Sequence, residues 1–372
     1  MGTSRRKVEW TRSCSSNAWG ASAGKGRAAT VADDGVTGYQ GRVTDDGAVS
    51  ALREIAFWLE RQNAPTYRVR AFRRAAAIVS ELSDLDRRVG TGALTDLEGI
   101  GRTTAAVITQ AHSGETPDYL AKLRDEAEVP EHGETLRAAL RGDCHTHSDW
   151  SDGGSPIVEM AATARELGHE WMALTDHSPR LTVARGLSAD RLREQLGVVG
   201  ELNRRMAPFR ILTGIEVDIL GDGSLDQDED LLAELDVVVA SVHSDLRMAS
   251  GPMTRRMVAA ARNPHVDVLG HCTGRLIGVR KRAQSTFDAR EVFTACRDHE
   301  VAVEINSRPD RLDPPRELLN LARDLGCQFS VDSDAHAPGQ LDWLFHGCAR
   351  AEECGIGPDR VINTRSAADI AA

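Results

Sequence analysis

The sequence has few aromatic residues, no long apolar run and no excess of positive charge. Phe, Trp and Tyr make up 4% of the 372 residues, so a hydrophobic core has to be built from Leu, Val, Ile and Ala. No apolar stretch approaches the roughly 20 residues that a membrane-spanning helix needs, and the N-terminus lacks the apolar region of a signal peptide. We therefore expect a soluble, cytoplasmic protein with no membrane partner.

Closely spaced cysteines are also missing. The seven cysteines form no Cys-x-x-Cys pair, which predicts reduced thiols and excludes an evident disulfide framework. The formal net charge is −11, which argues against nucleic-acid binding over the whole surface. A local basic groove stays open, and so does a metal site whose cations offset its own carboxylates.

Composition divides the chain into four parts. Residues 1–45 are rich in Gly, Ser, Ala and Thr without apolar periodicity, which predicts a disordered tail. Apolar residues recur at helical spacing over 46–133, and we expect a linker at 134–140. Short apolar strands then alternate with amphipathic helices over 141–372, which predicts an α/β domain.

Seven apolar segments in the last part are strand candidates, and their alternation with helices predicts a parallel barrel or open sheet. The candidates are Arg141–His147, Trp171–Asp176, Ile211–Val217, Val237–His243, Val266–His271, Val301–Asn306 and Gln328–Asp334.

A glycine-containing turn separates two predicted helices in the region 46–133. It consists of Gly99, Ile100, Gly101 and Arg102. Glycine permits backbone conformations that other residues resist, and the free N–H groups at the start of the following helix suit a phosphate. The pattern indicates a helix-hairpin-helix that binds a DNA backbone without reading sequence. An ordinary helical hairpin with a glycine at a helix end explains the same pattern and stays open.

Residues of metal-ligating type follow six of the seven predicted strands. In a strand, residues two apart point to one face, so the imidazoles of His145 and His147 point to one place. The carboxyl ends of barrel strands are where barrel enzymes build their sites. One such residue alone is more often structural, but their arrival at one end predicts a metal centre. The candidate ligands are His145, His147, Asp152, His177, Glu216, His243, His271, Asp334 and His336.

The ligand types favour particular ions and a particular chemistry. Imidazole and carboxylate suit Zn, Mn or Fe, and nine ligands fit two or three divalent ions rather than one. Clustered divalent ions polarise phosphoryl oxygens and lower the pKa of a bound water, which favours hydrolysis of a phosphate ester.

These residues lie in motifs that resemble the PHP (polymerase and histidinol phosphatase) domain family, over about residues 140–368. The resemblance implies a distorted (β/α)7 barrel with a trinuclear metal centre. The motifs are His145-Thr-His147, Ser151-Asp152-Gly153, Thr175-Asp176-His177-Ser178, Gly214-Ile-Glu216-Val-Asp218, Ser241-Val-His243-Ser, Gly270-His271-Cys-Thr-Gly-Arg275 and Asp334-Ala-His336.

The resemblance also implies how the ligands divide among the metals. One metal would be held by His145, His147, Glu216 and Asp334, which are the predicted catalytic residues together with Arg275. Glu216 would bridge to a second metal, held also by His243 and His271. A third would be held by Asp152, His177 and His336, where Asp152 stands in place of a histidine of some family members.

Within the family, the motifs are most similar to the PHP domain of bacterial family-X DNA polymerases, and region 46–133 resembles their helix-hairpin-helix domain. Two departures limit the resemblance. The segment between the two regions is too short for a polymerase palm, so we expect no polymerisation. Lys122 is the only lysine in 46–133, and it does not lie at the family's lyase position, so lyase activity is not expected.

The two regions together favour a DNA end-processing enzyme. The helical region would hold the duplex backbone, and the barrel would act as a 3′–5′ exonuclease or 3′-end-processing enzyme in DNA repair. A small-molecule phosphatase of the histidinol-phosphate type is the alternative, since the same metal centre would serve it. A non-enzymatic DNA-binding protein is disfavoured, because gathered carboxylates and imidazoles would lie unsatisfied without metal.

Overall fold

The structure is a computed structural model that describes residues 47–127 and 132–372. The chain divides into two compact units, one ending at Val129 and the other beginning at Pro130. The predicted tail at 1–45 lies outside the described residues.

The first unit is helical, as the apolar spacing predicts. The helix Gly47–Arg61 packs against the helices Thr66–Ser80, Arg102–His112 and Asp118–Asp125. The fully buried side chains of Leu52, Ile55, Leu59 and Ile108 lie in the core of the unit. The helices are α1 Gly47–Arg61, α2 Thr66–Ser80, α3 Leu85–Thr91, α4 Arg102–His112 and α5 Asp118–Asp125, with a 3-10 helix at Ala93–Asp96.

The second unit is a nearly closed barrel of seven parallel strands, in which each strand pairs with the next along the chain. The pairing of Thr146 with Ala335 joins the first strand to the segment after the last. All seven predicted strands are present, which confirms the predicted barrel. They are β1 Gly142–Thr146, β2 Trp171–Leu174, β3 Arg210–Asp218, β4 Val237–Ser241, β5 Val268–Leu269, β6 Ala302–Asn306 and β7 Phe329–Asp332.

Helices follow the strands and cover the outer face of the barrel. Aliphatic residues that alternate along the strands, such as Ile215, Val217 and Val303, pack against them in the largest core cluster. The helices are α6 Glu134–Ala139, α7 Ile157–Glu166, α8 Ala189–Met206, α9 Glu229–Leu232, α10 Ser250–Ala261, α11 Ala289–Asp298, α12 Arg316–Leu325, α13 Leu344–Glu353 and α14 Ala367–Ile370.

The interior of the barrel is apolar towards one end. Trp171, Leu212, Val239 and Val268 pack there in one buried cluster with smaller side chains. Further along the same strands the interior side chains become polar. We call the apolar end of the barrel its floor, and the polar end, at the carboxyl ends of the strands, its mouth.

Helix α6 occupies the place where the sequence predicts a linker. The backbone N–H groups of Gly133 and Leu136 donate to the carboxylate of Glu352, both at 2.9 Å, and Leu136 is fully buried in the barrel core. A six-residue helix with one buried side chain leaves no periodicity to detect. The domain limits themselves stay predictions.

Within 47–127 and 132–372, no helix is both long and apolar enough to cross a membrane. The six cysteines of these ranges are buried and form no disulfide with one another.

Candidate metal centre

The polar side chains of the mouth come from the carboxyl ends of the strands and from the loops that follow. In β1 the pairing register with β2 shifts between Asp143 and Thr146, which marks a β-bulge. Cys144 packs in the apolar floor, and the next residue, His145, contacts Glu304 inside the barrel. The bulge therefore lets two consecutive residues face the interior and carries His147 to the mouth.

Glu216, near the end of β3, is the centre of the cluster. Its carboxylate is 1% exposed and lies within 4 Å of five imidazoles. The family resemblance groups four of these imidazoles with Glu216 and places the fifth, His177, at another metal. The distances are 2.8 Å to His271 Nε2, 3.2 Å to His243 Nε2, 3.4 Å to His145 Nε2, 3.7 Å to His147 Nε2 and 2.8 Å to His177 Nδ1.

A second group of predicted ligands lies beside the first. Asp152 Oδ1 is 3.4 Å from His177 Nε2 and 3.3 Å from His336 Nε2, and Asp334 Oδ1 is 3.5 Å from His147 Nε2. His147 and His177 thus face both groups. The structure brings all nine predicted ligands together at one end of the barrel.

The donor atoms fit divalent metal ions. His145 Nε2 and His147 Nε2 are buried and have no hydrogen-bond partner, which is costly for polar atoms. His145 Nε2 and His147 Nε2 lie 3.4 and 3.7 Å from Glu216 Oε2. These distances match the roughly 3.4 Å between two ligand atoms that each lie about 2.1 Å from a tetrahedral ion. Three sets of side chains place one ligand atom each within 4.8 Å of one another: His147, Asp152, His177 and His336; His145, His147 and Glu216; His177, Glu216 and His243.

The charges of the cluster suit metal binding. Burial would raise the pKa of Glu216, but the surrounding imidazoles, His243 first, hold this pKa well below its usual range. Burial and the neighbouring His336 and His177 lower the pKa of His147 to about 3. An ionised carboxylate and a neutral imidazole are the forms that bind a metal ion.

Two other imidazoles of the cluster balance the negative charge of its carboxylates. Burial opposes protonation of His177, but Glu216 and Asp152 outweigh it and raise its pKa to about 10. The pKa of His145 is raised against burial in the same way by Glu216 and Glu304. A bound divalent cation would take over the neutralisation of Glu216 and displace these protons.

Two carboxylates that orient imidazoles of the cluster are not among the predicted site residues. His145 Nδ1 lies 2.6 Å from Glu304 Oε1, and His243 Nδ1 contacts Asp218. Each contact leaves the Nε2 atom directed at Glu216 and fixes the tautomer that can bind a metal. Asp218 lies in one of the motifs and Glu304 in a predicted strand, but only the register of neighbouring strands shows that they face a histidine.

Asp176 supports the loop that carries Asp152. Its carboxylate accepts hydrogen bonds from the Ser148 N–H at 2.8 Å and from Gln195 Nε2 at 2.7 Å, and also from Ser148 Oγ and Ser151 Oγ. With all these donors, Asp176 is fully engaged and buried. Its place before His177 in the sequence reflects a structural role.

The predicted catalytic residue Arg275 makes different contacts from Arg308 and Arg311 of the next loop. Arg275 donates to the backbone carbonyls of Arg311, at 3.0 Å, and Leu312, and it forms no ion pair within the described ranges. Arg311 Nε lies 3.2 Å from Asp334 Oδ2, and Arg308 Nη1 lies 3.9 Å from Asp334 Oδ1. The arginines that reach the cluster are thus Arg308 and Arg311, and a catalytic role of Arg275 stays a prediction.

The glycine turn of the helical unit has the predicted position. Gly99 has φ +101°, and a Cβ there would lie 2.5 Å from Arg74 Nε, so packing alone explains this glycine. Ile100 is buried. Gly101 caps α4 with an ordinary φ of −93°, and a Cβ there would meet nothing within 4 Å. Arg102 opens the helix and is exposed.

Comparisons with known proteins match both units. A family model described as PHP domain matches residues 143–308, and one described as Helix-hairpin-helix domain matches residues 46–116. The DNA polymerase/3′-5′ exonuclease PolX of Bacillus subtilis (strain 168) is 41% identical over 233 residues, which are 63% of this chain and 40% of that protein. The chain therefore spans less than half the length of this relative.

Two further proteins are similar to part of this chain. A probable phosphatase of Thermoanaerobacter sp. (strain X514) is 28% identical over 233 residues, which are 60% of this chain and 89% of that protein. The crystal structure of histidinol phosphate phosphatase from Lactococcus lactis subsp. lactis Il1403, complexed with zinc, L-histidinol and phosphate, has a TM-score of 0.44 and 18% identity. It covers 59% of this chain and 95% of that chain.

Proposed function

Because this chain contains a PHP domain and a helix-hairpin-helix domain, we propose that it is a metal-dependent phosphoester hydrolase that acts on DNA ends. The observation that carries the hydrolase part is the buried carboxylate of Glu216 within 4 Å of five imidazoles. Packing gives no reason to bury this cluster, since burying so many ionisable groups is costly unless they bind metal or one another.

The nine clustered side chains would hold two or three divalent ions, with Mn, Zn and Fe all suited to imidazole and carboxylate ligands. When bound, such ions polarise a phosphoryl oxygen and lower the pKa of a water molecule. The three sets overlap with the division that the family resemblance implies, but His147 and His177 each belong to two sets, and His271 and Asp334 to none. Glu304 and Asp218 would hold the imidazoles of His145 and His243 in their binding tautomers.

Arg308 and Arg311 would orient the substrate. Both guanidinium groups point to Asp334 at the edge of the cluster. Arg311 Nε is buried and has no hydrogen-bond partner. Guanidinium groups match the oxygens of a phosphate. A phosphate held there lies next to the clustered ligands, so the scissile ester and the metal-binding atoms share one edge of the mouth.

The DNA part of the proposal rests on the helical unit. The turn from Gly99 to Gly101 ends in α4, whose first N–H groups are free to bind a phosphate, and Arg102 adds a positive charge there. The similarity to a protein named as a polymerase and 3′-5′ exonuclease supports a DNA substrate. A 3′ end is the proposed point of attack.

A small phosphate ester is the second candidate substrate. The chain covers 89% of the length of a relative named as a probable phosphatase. The helical unit has no role in this alternative, which is why the DNA substrate is favoured.

Two substrates decide between the candidates when they are offered to the Mn-loaded full chain. One is a 5′-labelled duplex with a recessed 3′ end, resolved on a gel, and the other is histidinol phosphate, followed by phosphate release. We expect the 3′ end to be shortened and the small ester to react slowly. Intact DNA with fast release from the small ester would reverse the assignment.

The double variant His145→Ala, His147→Ala tests the metal centre itself. We expect hydrolysis to fall at least about 10³-fold, because ions supply several kcal/mol of transition-state stabilisation, and bound metal to fall in parallel. The control is His265→Ala, which removes a half-buried imidazole just before β5, at the opposite end of the barrel. Wild-type turnover in the double variant would contradict the metal assignment.

A further inference from the structure

The segment that follows β5 carries an unusual concentration of positive charge. Residues 273–287 contain four Arg or Lys residues and no Asp or Glu, in a chain of net charge −11. Lys281 is the only lysine of the region 132–372. Because this segment leaves the carboxyl end of β5, immediately after His271, it belongs to the mouth of the barrel.

Part of the segment is a short hairpin, residues 276–282. Leu276 and Arg282 form an antiparallel bridge with two backbone hydrogen bonds of 3.0 Å, and Arg282 Nε donates to the Gly274 carbonyl at 2.6 Å. These contacts fix the base of the hairpin. Residues 279–281 at its tip are exposed.

The hairpin tip combines exposed apolar and exposed cationic side chains. Val279 is 106% exposed and Ile277 is 45% exposed, and both stand beside the exposed Arg280 and Lys281. Within the described ranges, no carboxylate lies within 4 Å of the charged groups of Arg280, Lys281 or Arg282. Folding of this unit explains neither the unpaired charge nor the exposed valine.

The hairpin is connected to the clustered ligands through a neighbouring loop. The Ile277 N–H donates to the Asp310 carbonyl at 2.7 Å, and Arg308 and Arg311 of that loop point to Asp334. A chain of contacts therefore runs from the metal-binding residues to the hairpin tip. A polymeric substrate whose end lies at the cluster would pass along this line.

We infer that the 276–282 hairpin binds the single-stranded segment of nucleic acid that leads into the site. Arg280, Lys281 and Arg282 would contact successive phosphates, and Val279 and Ile277 would lie against bases. A single strand offers both charged backbone and open base faces, whereas a duplex shows the tip only its phosphates. This inference rests on the proposed function, because it assumes that the hydrolysed ester belongs to a nucleic acid.

The test compares two substrates of the Mn-loaded full chain, a short oligothymidylate and the small diester bis(4-nitrophenyl) phosphate. The double variant Arg280→Gln, Lys281→Gln removes two charges from the tip. We expect kcat/KM on oligothymidylate, relative to that on the small diester, to fall roughly tenfold at low salt. The slope of log kcat/KM against log salt should become shallower by about 1.4, since each single-strand phosphate contact contributes about 0.7.

A matched control removes the same charge elsewhere. Arg204→Gln, Arg205→Gln changes the last turn of α8, which precedes β3 and so lies at the opposite end of the barrel. This variant should keep the wild-type ratio and salt slope. Val279→Ser, which leaves the charge unchanged, should lower the ratio on oligothymidylate by a smaller factor and leave the salt slope as in wild type.

Two outcomes would overturn the inference, and they differ in what else they overturn. If the wild type degrades oligothymidylate and Arg280→Gln, Lys281→Gln keeps the same ratio and salt slope, the hairpin does not bind the strand and the proposed function stands. If the wild type hydrolyses the small diester and leaves oligothymidylate and the recessed duplex intact, the proposed DNA substrate is wrong, and the inference fails with it.

Discussion

The mouth of the barrel and the glycine turn of the helical unit differ in what their geometry explains. At the mouth, buried carboxylates and imidazoles lie at distances that suit ions and that packing does not require. At the turn, the left-handed backbone of Gly99 and the buried Ile100 serve the packing of the helices themselves. At the mouth, the free-energy cost of burying these side chains therefore indicates metal binding. At the turn, DNA binding is indicated chiefly by similarity to a known domain.

This difference follows from what each site uses. A metal site uses side chains, which must be buried and left without other partners before the ion binds. A backbone-binding turn uses N–H groups, which every helix start offers. Variants that separate stability from function are therefore more informative in the helical unit, and variants that separate ligands from their supports are more informative in the barrel.

Among substitutions outside the nine predicted ligands, the largest effect is expected from Glu304→Gln. The carboxylate of Glu304 contacts His145 Nδ1 at 2.6 Å and accepts from the His271 N–H, so it orients two predicted ligands without reaching the metal-binding face of either. Loss of such a supporting carboxylate costs about 10- to 100-fold in metal affinity or activity. The measurement is a metal titration alongside turnover of the small diester.

The control for this prediction compares the metal affinities of two variants. Asp218→Asn removes the equivalent support of His243 and should weaken metal binding by a similar factor, while neither variant should match the loss in His145→Ala, His147→Ala. If Glu304→Gln binds metal as tightly as wild type, Glu304 serves only the packing of β6 against β5 and the cluster does not depend on it.

The strands, and the gathering of nine candidate side chains at the mouth, could be predicted from the sequence better than the residues that support those side chains. All seven strands appear, because aliphatic runs with polar ends are strong local signals, although only Val268 and Leu269 of the predicted fifth strand are paired. The supports Glu304 and Asp218 depend on which residue of a neighbouring strand faces which histidine, and register is not a local property.

Two other features depend on tertiary contacts in the same way. Arg275 directly follows a ligand motif, but the carbonyls of residues 311 and 312 hold its guanidinium, and the arginines that reach Asp334 come from the next loop. Helix α6 forms because Glu352 accepts from its first N–H groups. Neither contact can be inferred from the residues in the immediate neighbourhood along the chain.

An effect of intermediate size is expected from His169, which makes the stability of the barrel depend on pH independently of the metal centre. It is 4% exposed, and neither ring nitrogen has a hydrogen-bond partner; it precedes β2, at the end opposite the mouth. Burial, followed by the charge of Arg137, lowers its pKa to about 3 from an ordinary value of 6.5. The folded state thus binds fewer protons than the unfolded state between pH 3 and 6.5, and stability falls as the pH falls below 6.5.

The expected loss from this histidine is about 2 kcal/mol in the free energy of unfolding by pH 5, relative to neutral pH. Urea unfolding of the wild type and of His169→Leu at a series of pH values measures it. The difference between the two proteins removes the contribution of the metal-site histidines, which both share. Parallel pH profiles would show that His169 is solvated or protonated in the folded protein.

The smallest expected effects concern the two glycines of the turn, and they test whether the turn has a role beyond packing. Gly99→Ala should destabilise the helical unit by about 1–2 kcal/mol, because φ is positive and the new Cβ meets Arg74. Gly101→Ala should cost about 1 kcal/mol or less, the usual loss at an N-cap, since φ is ordinary and the space is open. Urea unfolding measures both.

Gly101→Ala is the decisive variant because nothing in the folded unit crowds position 101. If the turn binds a DNA backbone, the added methyl group should weaken binding to a duplex several-fold while the free energy of unfolding changes little. Gly90→Ala within α3, where a Cβ also meets nothing, is the matched control and should leave DNA binding unchanged. Equal duplex affinity in both variants would leave the turn with a packing role alone, and the contrast between the two units would then be one of function as well as of geometry.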